Sequence, residues 1–197
     1  MENYPLSVAE SLLRAGAFKI SLNPLYTWTS GVRSPVYCDL RALISDVAAR
    51  REIVNAFAEM ISQKVECDVI AGTATAGIPW AAWVAEKLGK PMIYVRSEAK
   101  EHGTKKRIEG MLPAGSKVVL IEDHISTGKS SISALQALRE EGQATVDYVF
   151  AINTYQLKAA DEVYASAGVH VRTITDYSVI LSAAKAQGII DDEKEKM

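Results

Sequence analysis

Short continuous apolar runs alternate with helical patterns along most of the chain. The apolar runs predict strands at residues 68–72, 91–96, 117–122, 145–152 and 169–174. The segments between and after them predict helices at residues 77–88, 128–141 and 157–167. Because the runs are continuous, each strand is expected to be buried on both faces. The pattern predicts an α/β fold with a mostly parallel central sheet flanked by helices.

The first 60 residues follow a different pattern. Residues 6–15 predict a short helix that ends at Gly16, and residues 23–41 predict a loop with a short strand. A helix of about four turns is expected after Asp46, its predicted N-cap. Its predicted apolar face consists of Val47, Val54, Phe57, Ala58 and Ile61.

One segment, SEAKEHGTKKRIEG at residues 97–110, has almost no apolar side chain. A loop of this length in a compact domain is either functional or a solvated surface connection, and the pattern leaves both open.

Composition narrows the class of protein. The 197 residues are 48% hydrophobic, which indicates a single globular domain over residues 1–197. The net charge of -2 favours neither nucleic acid nor an anionic membrane as a partner. Two cysteines in a chain of this length favour a reduced, cytoplasmic protein. No signal peptide and no membrane-spanning run is predicted.

Three loops of unusual composition follow predicted strands: 72–77 (GTATAG), 97–110 and 122–130 (EDHISTGKS). In an open α/β sheet, ligands bind beyond the carboxyl ends of the strands. We therefore expect the three loops to meet at one site.

The segment STGKS, residues 126–130, predicts a phosphate cradle, because its small residues run into a helix N-terminus with free amides. A plain strand-to-helix turn is the alternative. A Walker A loop is disfavoured, since Asp123 stands where that motif requires glycine.

The paired acids Glu122 and Asp123 directly precede this cradle. Either Asp123 caps the next helix and Glu122 is solvated, or both face a ligand and accept hydrogen bonds from sugar hydroxyls or from metal-bound water. The cations Arg96, Lys100, His102, Lys105, Lys106 and Arg107 could neutralise a polyanion. With 72–77 as a second cradle, the pattern indicates a sugar with two separate phosphate groups, together with Mg²⁺.

These residues resemble a known family. VVLIEDHISTGKSS resembles the phosphoribosyl diphosphate (PRPP) signature of type I phosphoribosyltransferases. VRSEAKEHGTKKRIEG is similar to the catalytic loop of orotate phosphoribosyltransferases, and TWTSGVRSPVYCDLR is similar to their substrate-binding hood. The resemblance spans roughly residues 6 to 185. It implies the type I phosphoribosyltransferase fold, with a hood over about residues 1–41 and a flexible catalytic loop over residues 97–110.

The resemblance implies transfer of the phosphoribosyl group from PRPP to orotate, giving orotidine 5′-monophosphate and pyrophosphate. It assigns PRPP binding to Thr73, Ala74, Thr75, Arg96, Lys100, His102, Glu122, Asp123, His124, Ile125, Ser126, Thr127, Gly128, Lys129 and Ser130. It assigns the catalytic roles to Lys100, His102 and Asp123, and a cis peptide to Ala74–Thr75.

The resemblance also implies a homodimer in which Arg96, Lys100 and His102 act in the neighbouring subunit's site. Mg²⁺ would be held mainly by PRPP, with Glu122 and Asp123 reached through water. Orotate would contact Ser126, Ser30 and Gly31, and Arg33 is an alternative partner for its carboxylate.

Several positions depart from the family pattern. Ser97, Ala76 and Thr29 stand where many relatives have lysine, FAINTY lacks an arginine that binds the orotate carboxylate, and His124 replaces a more usual aliphatic residue. His124 is interpreted as an incidental side chain. Two alternatives stay open: a phosphoribosyltransferase for another base, and a PRPP-sensing regulator.

Overall fold

The computed structural model describes residues 3–21, 23–27, 33–98 and 106–191. The helices are α1 Tyr4–Arg14, α2 Val47–Lys64, α3 Gly77–Leu88, α4 Lys129–Glu140, α5 Lys158–Ser166 and α6 Tyr177–Ala186, with a 3₁₀ turn at Leu40–Ile44. The strands are β1 Phe18–Ile20, β2 Tyr26–Thr27, β3 Arg33–Ser34, β4 Val36–Cys38, β5 Val69–Thr73, β6 Met92–Val95, β7 Ile108–Glu109, β8 Lys117–Ile125, β9 Thr145–Thr154 and β10 His170–Thr173.

A six-stranded sheet with the order β10-β9-β8-β5-β6-β7 forms the centre of the molecule. All neighbouring strands are parallel except β7, which pairs antiparallel with β6. Because β5, β6, β8 and β9 are parallel, their carboxyl ends lie at one edge of the sheet. The predicted α/β fold with a mostly parallel sheet is confirmed, and this edge carries the candidate site.

Each face of the sheet is covered by its own core. On one face, α1, α2, α3 and α6 pack around fully buried Phe57 and Trp80. On the other face, α4 and α5 cover the sheet around Leu120 and Leu135. We call the second set the α4 layer. The continuous apolar strands are explained by this arrangement, since both faces of β5 and β8 are buried.

The hood consists of two small antiparallel sheets, β1 with β4 and β2 with β3. It lies on the face opposite the α4 layer. Phe18 of β1 packs its ring against Tyr155 and Tyr177 of the main body, with ring centroids 6.4 and 6.2 Å apart. The sequence predicted only one short strand here, because strands of two or three residues leave little hydrophobic pattern.

The predicted helix after Asp46 is confirmed, and the Asp46 side chain accepts hydrogen bonds from the amides of Ala48 and Ala49. Four residues of its predicted apolar face are buried, but Val47 is 48% exposed. Val47 is the first residue of α2, at the end of the helix that packs against α1 and α3.

Two other boundaries differ from the prediction. Strand β8 continues to Ile125 and β9 to Thr154, so Asp123, which was predicted to follow the strand, lies inside it together with Glu122. Helix α6 was not predicted, although Asp176 caps it by accepting from the Val179 amide. Among the described helices, none is long and apolar enough to cross a membrane.

Candidate active site

Glu122 is the most deeply buried acid at the carboxyl edge of the sheet. It is 4% exposed, and its Oε2 accepts a hydrogen bond of 2.8 Å from the Ser130 hydroxyl. Its Oε1 accepts from the amide of Asp123 at 3.2 Å. Burial, and then the negative charge of Asp123, raise the pKa of Glu122 well above its ordinary value. The alternative in which Glu122 is solvated is therefore wrong.

Asp123 follows Glu122 in strand β8 and lies close enough to it that its charge, after burial, raises the Glu122 pKa. Val119 and Ile121, which precede it at spacing two, pack in the core on the hood face. Burial raises the pKa of Cys38 in hood strand β4, and the charge of Asp123 raises it further. Asp123 does not cap α4, because the N-cap is Gly128 and no side chain caps that helix. The capping alternative is wrong as well.

Gly128 and the first turn of α4 form the predicted cradle. Gly128 has φ +77°, and a Cβ there would lie 3.0 Å from the Tyr164 ring, so both backbone shape and space favour glycine. The first amides of a helix have no partner within the helix, and no side chain caps them here. Thr127, Lys129 and Ser130 are exposed at this end. The turn is therefore open to an anion.

The segment 73–77 forms a second polar turn at the end of β5. Thr73 is 4% exposed, and its Oγ1 has no hydrogen-bond partner among the described residues. The Ala74–Thr75 peptide is cis, as the resemblance implied. At the start of α3, a Cβ on Gly77 would lie 2.7 Å from the Ile121 carbonyl oxygen. Helix α3 thus packs directly on the backbone that precedes the two acids.

A cavity of about 540 Å³ lies between these turns. Residues from all three predicted loops line it, among them Thr73, Ala74, Arg96, Ser97, Arg107, Thr127, Lys129 and Ser130. Helix α4 contributes Ser133 and Gln136, which the sequence analysis did not single out. Their place in the cavity could not be predicted from the sequence, because polar residues on a helix ordinarily indicate a face exposed to solvent.

The side chains of Arg96 and Arg107 have different partners. Arg96 Nη1 lies 3.6 Å from Glu109 Oε1, and 42% of its side chain is exposed at the cavity. Arg107 donates to the carbonyls of Arg96 and Ser133, each at 3.0 Å, which ties the base of the polar loop to α4. Arg107 also lines the cavity, so its predicted role as a cation for a ligand stays a prediction.

His124 lies on the hood face with three further polar side chains. Its Nδ1 is 2.8 Å from Asn153 Oδ1, and its ring packs edge-on to Tyr155 with centroids 4.2 Å apart. Asn153 is fully buried and donates to Cys38 Sγ at 3.7 Å. Burial lowers the pKa of His124 and raises that of Cys38 to about 12. The sequence analysis missed this cluster, although an asparagine within an apolar strand was a signal.

Four predicted site residues, Lys100, His102, Ser30 and Gly31, lie outside the described residues. Among the residues that the structure describes, no three His, Cys, Asp or Glu side chains lie close enough together to hold a metal ion. Glu122 is linked to the cavity through its hydrogen bond with the lining residue Ser130, and Asp123 follows it in β8, so two neighbouring carboxylates are available. Magnesium typically takes one or two carboxylates and completes its shell with water and substrate phosphate, so these residues fit Mg²⁺ bound with a phosphorylated substrate.

Comparison with known proteins places this site in a family. Residues 44–181 match the family model of the phosphoribosyl transferase domain. The orotate phosphoribosyltransferase of Staphylococcus haemolyticus is 45% identical over 186 residues, which cover 94% of this chain and 92% of that protein. That of Coxiella burnetii is 41% identical over 196 residues, covering 98% and 93% of the two chains.

Solved structures agree in fold. The orotate phosphoribosyltransferase of Aeropyrum pernix superposes with a TM-score of 0.79 and 32% identity, covering 93% of this chain and 99% of that chain. The Mycobacterium tuberculosis orotate phosphoribosyltransferase in complex with PRPP superposes with a TM-score of 0.71, covering 90% and 98%. It is 22% identical, so it supports the fold alone.

The parallel sheet, the cradle after β8 and the family match define a type I phosphoribosyltransferase. Within that class, the chain belongs to the orotate phosphoribosyltransferases, pentosyltransferases of pyrimidine biosynthesis that use PRPP and orotate as substrates.

Proposed function

We propose that the protein transfers the 5-phosphoribosyl group of PRPP to orotate in the cavity at the carboxyl edge of its sheet, as a cytoplasmic, magnesium-dependent homodimer. One observation carries this proposal. Glu122 and the α4 cradle are joined by the Ser130 hydrogen bond of 2.8 Å, so a hydroxyl-accepting acid and an anion cradle stand side by side. A phosphorylated ribose presents both groups that such a site would bind.

Glu122 and Asp123 would accept hydrogen bonds from the two ribose hydroxyls. The Ser130 hydroxyl, which now donates to Glu122, would be released to the phosphate when a ribose hydroxyl replaces it. This exchange keeps the buried carboxylate paired in both states, which matters because an unpaired buried charge is strongly unfavourable.

The 5′-phosphate would bind at Ser126, Thr127, Gly128, Lys129 and Ser130, where amides and the positive end of the helix dipole favour an anion. The pyrophosphate would bind at Thr73, Ala74 and Thr75. The Thr73 hydroxyl supports this assignment, because it has no hydrogen-bond partner within the described ranges, whereas buried hydroxyls in proteins are ordinarily hydrogen-bonded.

In the reaction, the bond from the anomeric carbon to the pyrophosphate oxygen breaks and a bond to an orotate ring nitrogen forms. Positive charge develops on the sugar, near the carboxylates of Glu122 and Asp123, and negative charge develops on the leaving group. Lys100 and His102, with Arg96, would stabilise that negative charge from the neighbouring subunit. Mg²⁺ bound with PRPP would supply further Lewis-acid stabilisation of the pyrophosphate.

Orotate would contact Ser126, with Ser30 and Gly31 from the hood. The position of the hood supports this, since Cys38 of its strand β4 accepts a hydrogen bond from Asn153, the residue next to the β9 partner of Asp123. The cytoplasmic location is supported by cysteine usage, because both Cys38 and Cys67 are free thiols.

The role of Asp123 can be tested by measuring PRPP binding calorimetrically with Mg²⁺ present. Asp123→Asn replaces a charged hydrogen-bond acceptor, so the dissociation constant should rise about tenfold to a hundredfold. The matched control is Asp147→Asn, an exposed aspartate on β9 at the other end of the sheet. Equal affinities of Asp123→Asn and the control would contradict the proposed ribose site.

A further inference from the structure

Strand β8 changes its side-chain alternation directly after Asp123. Glu122 faces the α4 layer, where it bonds Ser130, and regular alternation would turn His124 to that layer too. His124 instead faces the hood, where it meets Asn153 and Tyr155. The alternation is therefore broken between Glu122 and His124, next to Asp123, before Ile125 returns to the α4 layer.

The side-chain alternation of strand β9 also breaks, at the residue that pairs with His124. His124 and Asn153 are direct partners in the β8–β9 register. Ala151 packs in the α4 layer, yet Asn153, two residues later, reaches Cys38 on the hood face. The two irregularities stand opposite each other, and the hydrogen bond between His124 Nδ1 and Asn153 Oδ1 joins them.

We propose that His124 and Asn153 are positioning residues, whose hydrogen bond holds Asp123 in its ribose-binding position and ties it to hood strand β4 through Cys38. The inference rests on the proposed ribose-binding role of Asp123. Neither side chain needs to touch the substrate. Returning His124 to regular alternation would leave the Asn153 amide buried without this partner, which is unfavourable, so the pair selects one backbone arrangement.

The two ring nitrogens of His124 stand in different surroundings. Nδ1 bonds Asn153, whereas Nε2 is buried and has no hydrogen-bond partner among the described residues. Burial lowers the pKa of His124, and in the tautomer in which Nδ1 donates to Asn153 Oδ1, the lone pair lies on Nε2. The inference thus assigns the positioning effect to Nδ1 alone.

Two substitutions of His124 test which of its two ring nitrogens is responsible for the effect. The side-chain nitrogen of asparagine lies as many bonds from Cβ as Nδ1, and that of glutamine extends one bond further, toward the position of Nε2. His124→Asn can keep the bond to Asn153, whereas His124→Gln and His124→Leu lose it. Asn153→Leu removes the bond from the other strand.

The experiment measures the PRPP dissociation constant, KM for both substrates and kcat for these four variants and for His124→Leu/Asn153→Leu. We expect His124→Leu and His124→Gln to weaken PRPP binding about tenfold, as for one lost buried hydrogen bond, with a smaller effect on the KM for orotate. His124→Asn should recover most of that affinity. The double variant should bind PRPP no more weakly than His124→Leu.

Recovery by glutamine and not by asparagine would overturn the inference, as would additive effects in the double variant or unchanged PRPP affinity in His124→Leu. If His124→Leu does not fold, the comparison of His124→Asn with His124→Gln decides the question.

Asp123→Asn distinguishes a failure of the proposed function from a failure of this inference. If it leaves PRPP binding unchanged, the proposed function fails; if it weakens binding while the His124 variants do not, only this inference fails.

Discussion

A buried carboxylate kept beside a second one is unfavourable for the unliganded protein. Glu122 is held between the Ser130 hydroxyl and the Asp123 amide, and burial and the charge of Asp123 both raise its pKa. The folded state therefore binds a proton at Glu122 more tightly than the unfolded chain does. Ionisation of Glu122 above its folded pKa subtracts from stability, which a bound ribose would offset.

Glu122→Gln should consequently stabilise the unliganded protein while weakening PRPP binding. At pH 8 we expect its free energy of unfolding to exceed that of the parent, because a neutral amide replaces a carboxyl whose ionisation is disfavoured by burial and by the charge of Asp123. The gain should shrink as the pH falls toward about 4.3, where the carboxyl is protonated in the unfolded chain as well.

Urea unfolding at pH 8, 6 and 4.5 measures this difference. Glu140→Gln, at the exposed end of α4, is the control and should change stability by less than about 0.5 kcal/mol. A Glu122→Gln gain that does not depend on pH would show that ionisation is not its cause.

At the scale of elements, the close packing of α3 on β8 sets the geometry of both polar turns. A Cβ on Gly77 would meet the Ile121 carbonyl oxygen at 2.7 Å, directly before Glu122, and one on Gly72 would meet the Ala81 Cβ at 2.9 Å. Neither backbone can give way easily, because each belongs to a buried element.

Gly77→Ala should therefore destabilise the protein by about 1–3 kcal/mol and weaken PRPP binding, since α3 must shift away from the acids. Gly168→Ala is the comparison, because Gly168 has φ +63° but open space around its Cα. It should lose about 1–2 kcal/mol through backbone strain and retain PRPP affinity. Equal affinities for the two variants would contradict a link between α3 packing and the site.

The same elements show what the sequence could predict. The alternation of apolar runs with helical segments was sufficient for the parallel sheet, because strands buried on both faces leave a continuous apolar signal. The polar residues at the end of β8 were interpreted as a loop, yet pairing with β9 extends the strand to Ile125. The His124–Asn153 bond was not predictable locally, since its partners lie 29 residues apart.

At the scale of the whole molecule, the described part of the chain contains the proposed ribose site and phosphate cradle. The proposed charge for stabilising the leaving group comes from a neighbouring subunit. This division predicts complementation. Asp123→Asn and Lys100→Ala should each be nearly inactive alone, because one damages its own site and the other its neighbour's.

Mixed dimers of the two variants should regain activity. With random pairing, half of the dimers are mixed and each contains one intact site, so activity should reach about a quarter of the parent value. The two variants are co-expressed, each with a different affinity tag. Specific activity is measured for the mixed dimers, which are purified on both tags in turn, and for the unselected mixture of all dimers. Activity that stays at the level of the single variants would contradict a shared active site.

The central claim is transfer from PRPP to orotate, and a spectrophotometric assay of orotate consumption tests it most directly. With PRPP and Mg²⁺ present, orotate should be consumed and pyrophosphate released in equal amounts, and a chelator should stop the reaction until excess Mg²⁺ is restored. Hypoxanthine, adenine and uracil should not replace orotate. Turnover of one of those bases without turnover of orotate, or PRPP binding with no turnover at all, would contradict the account.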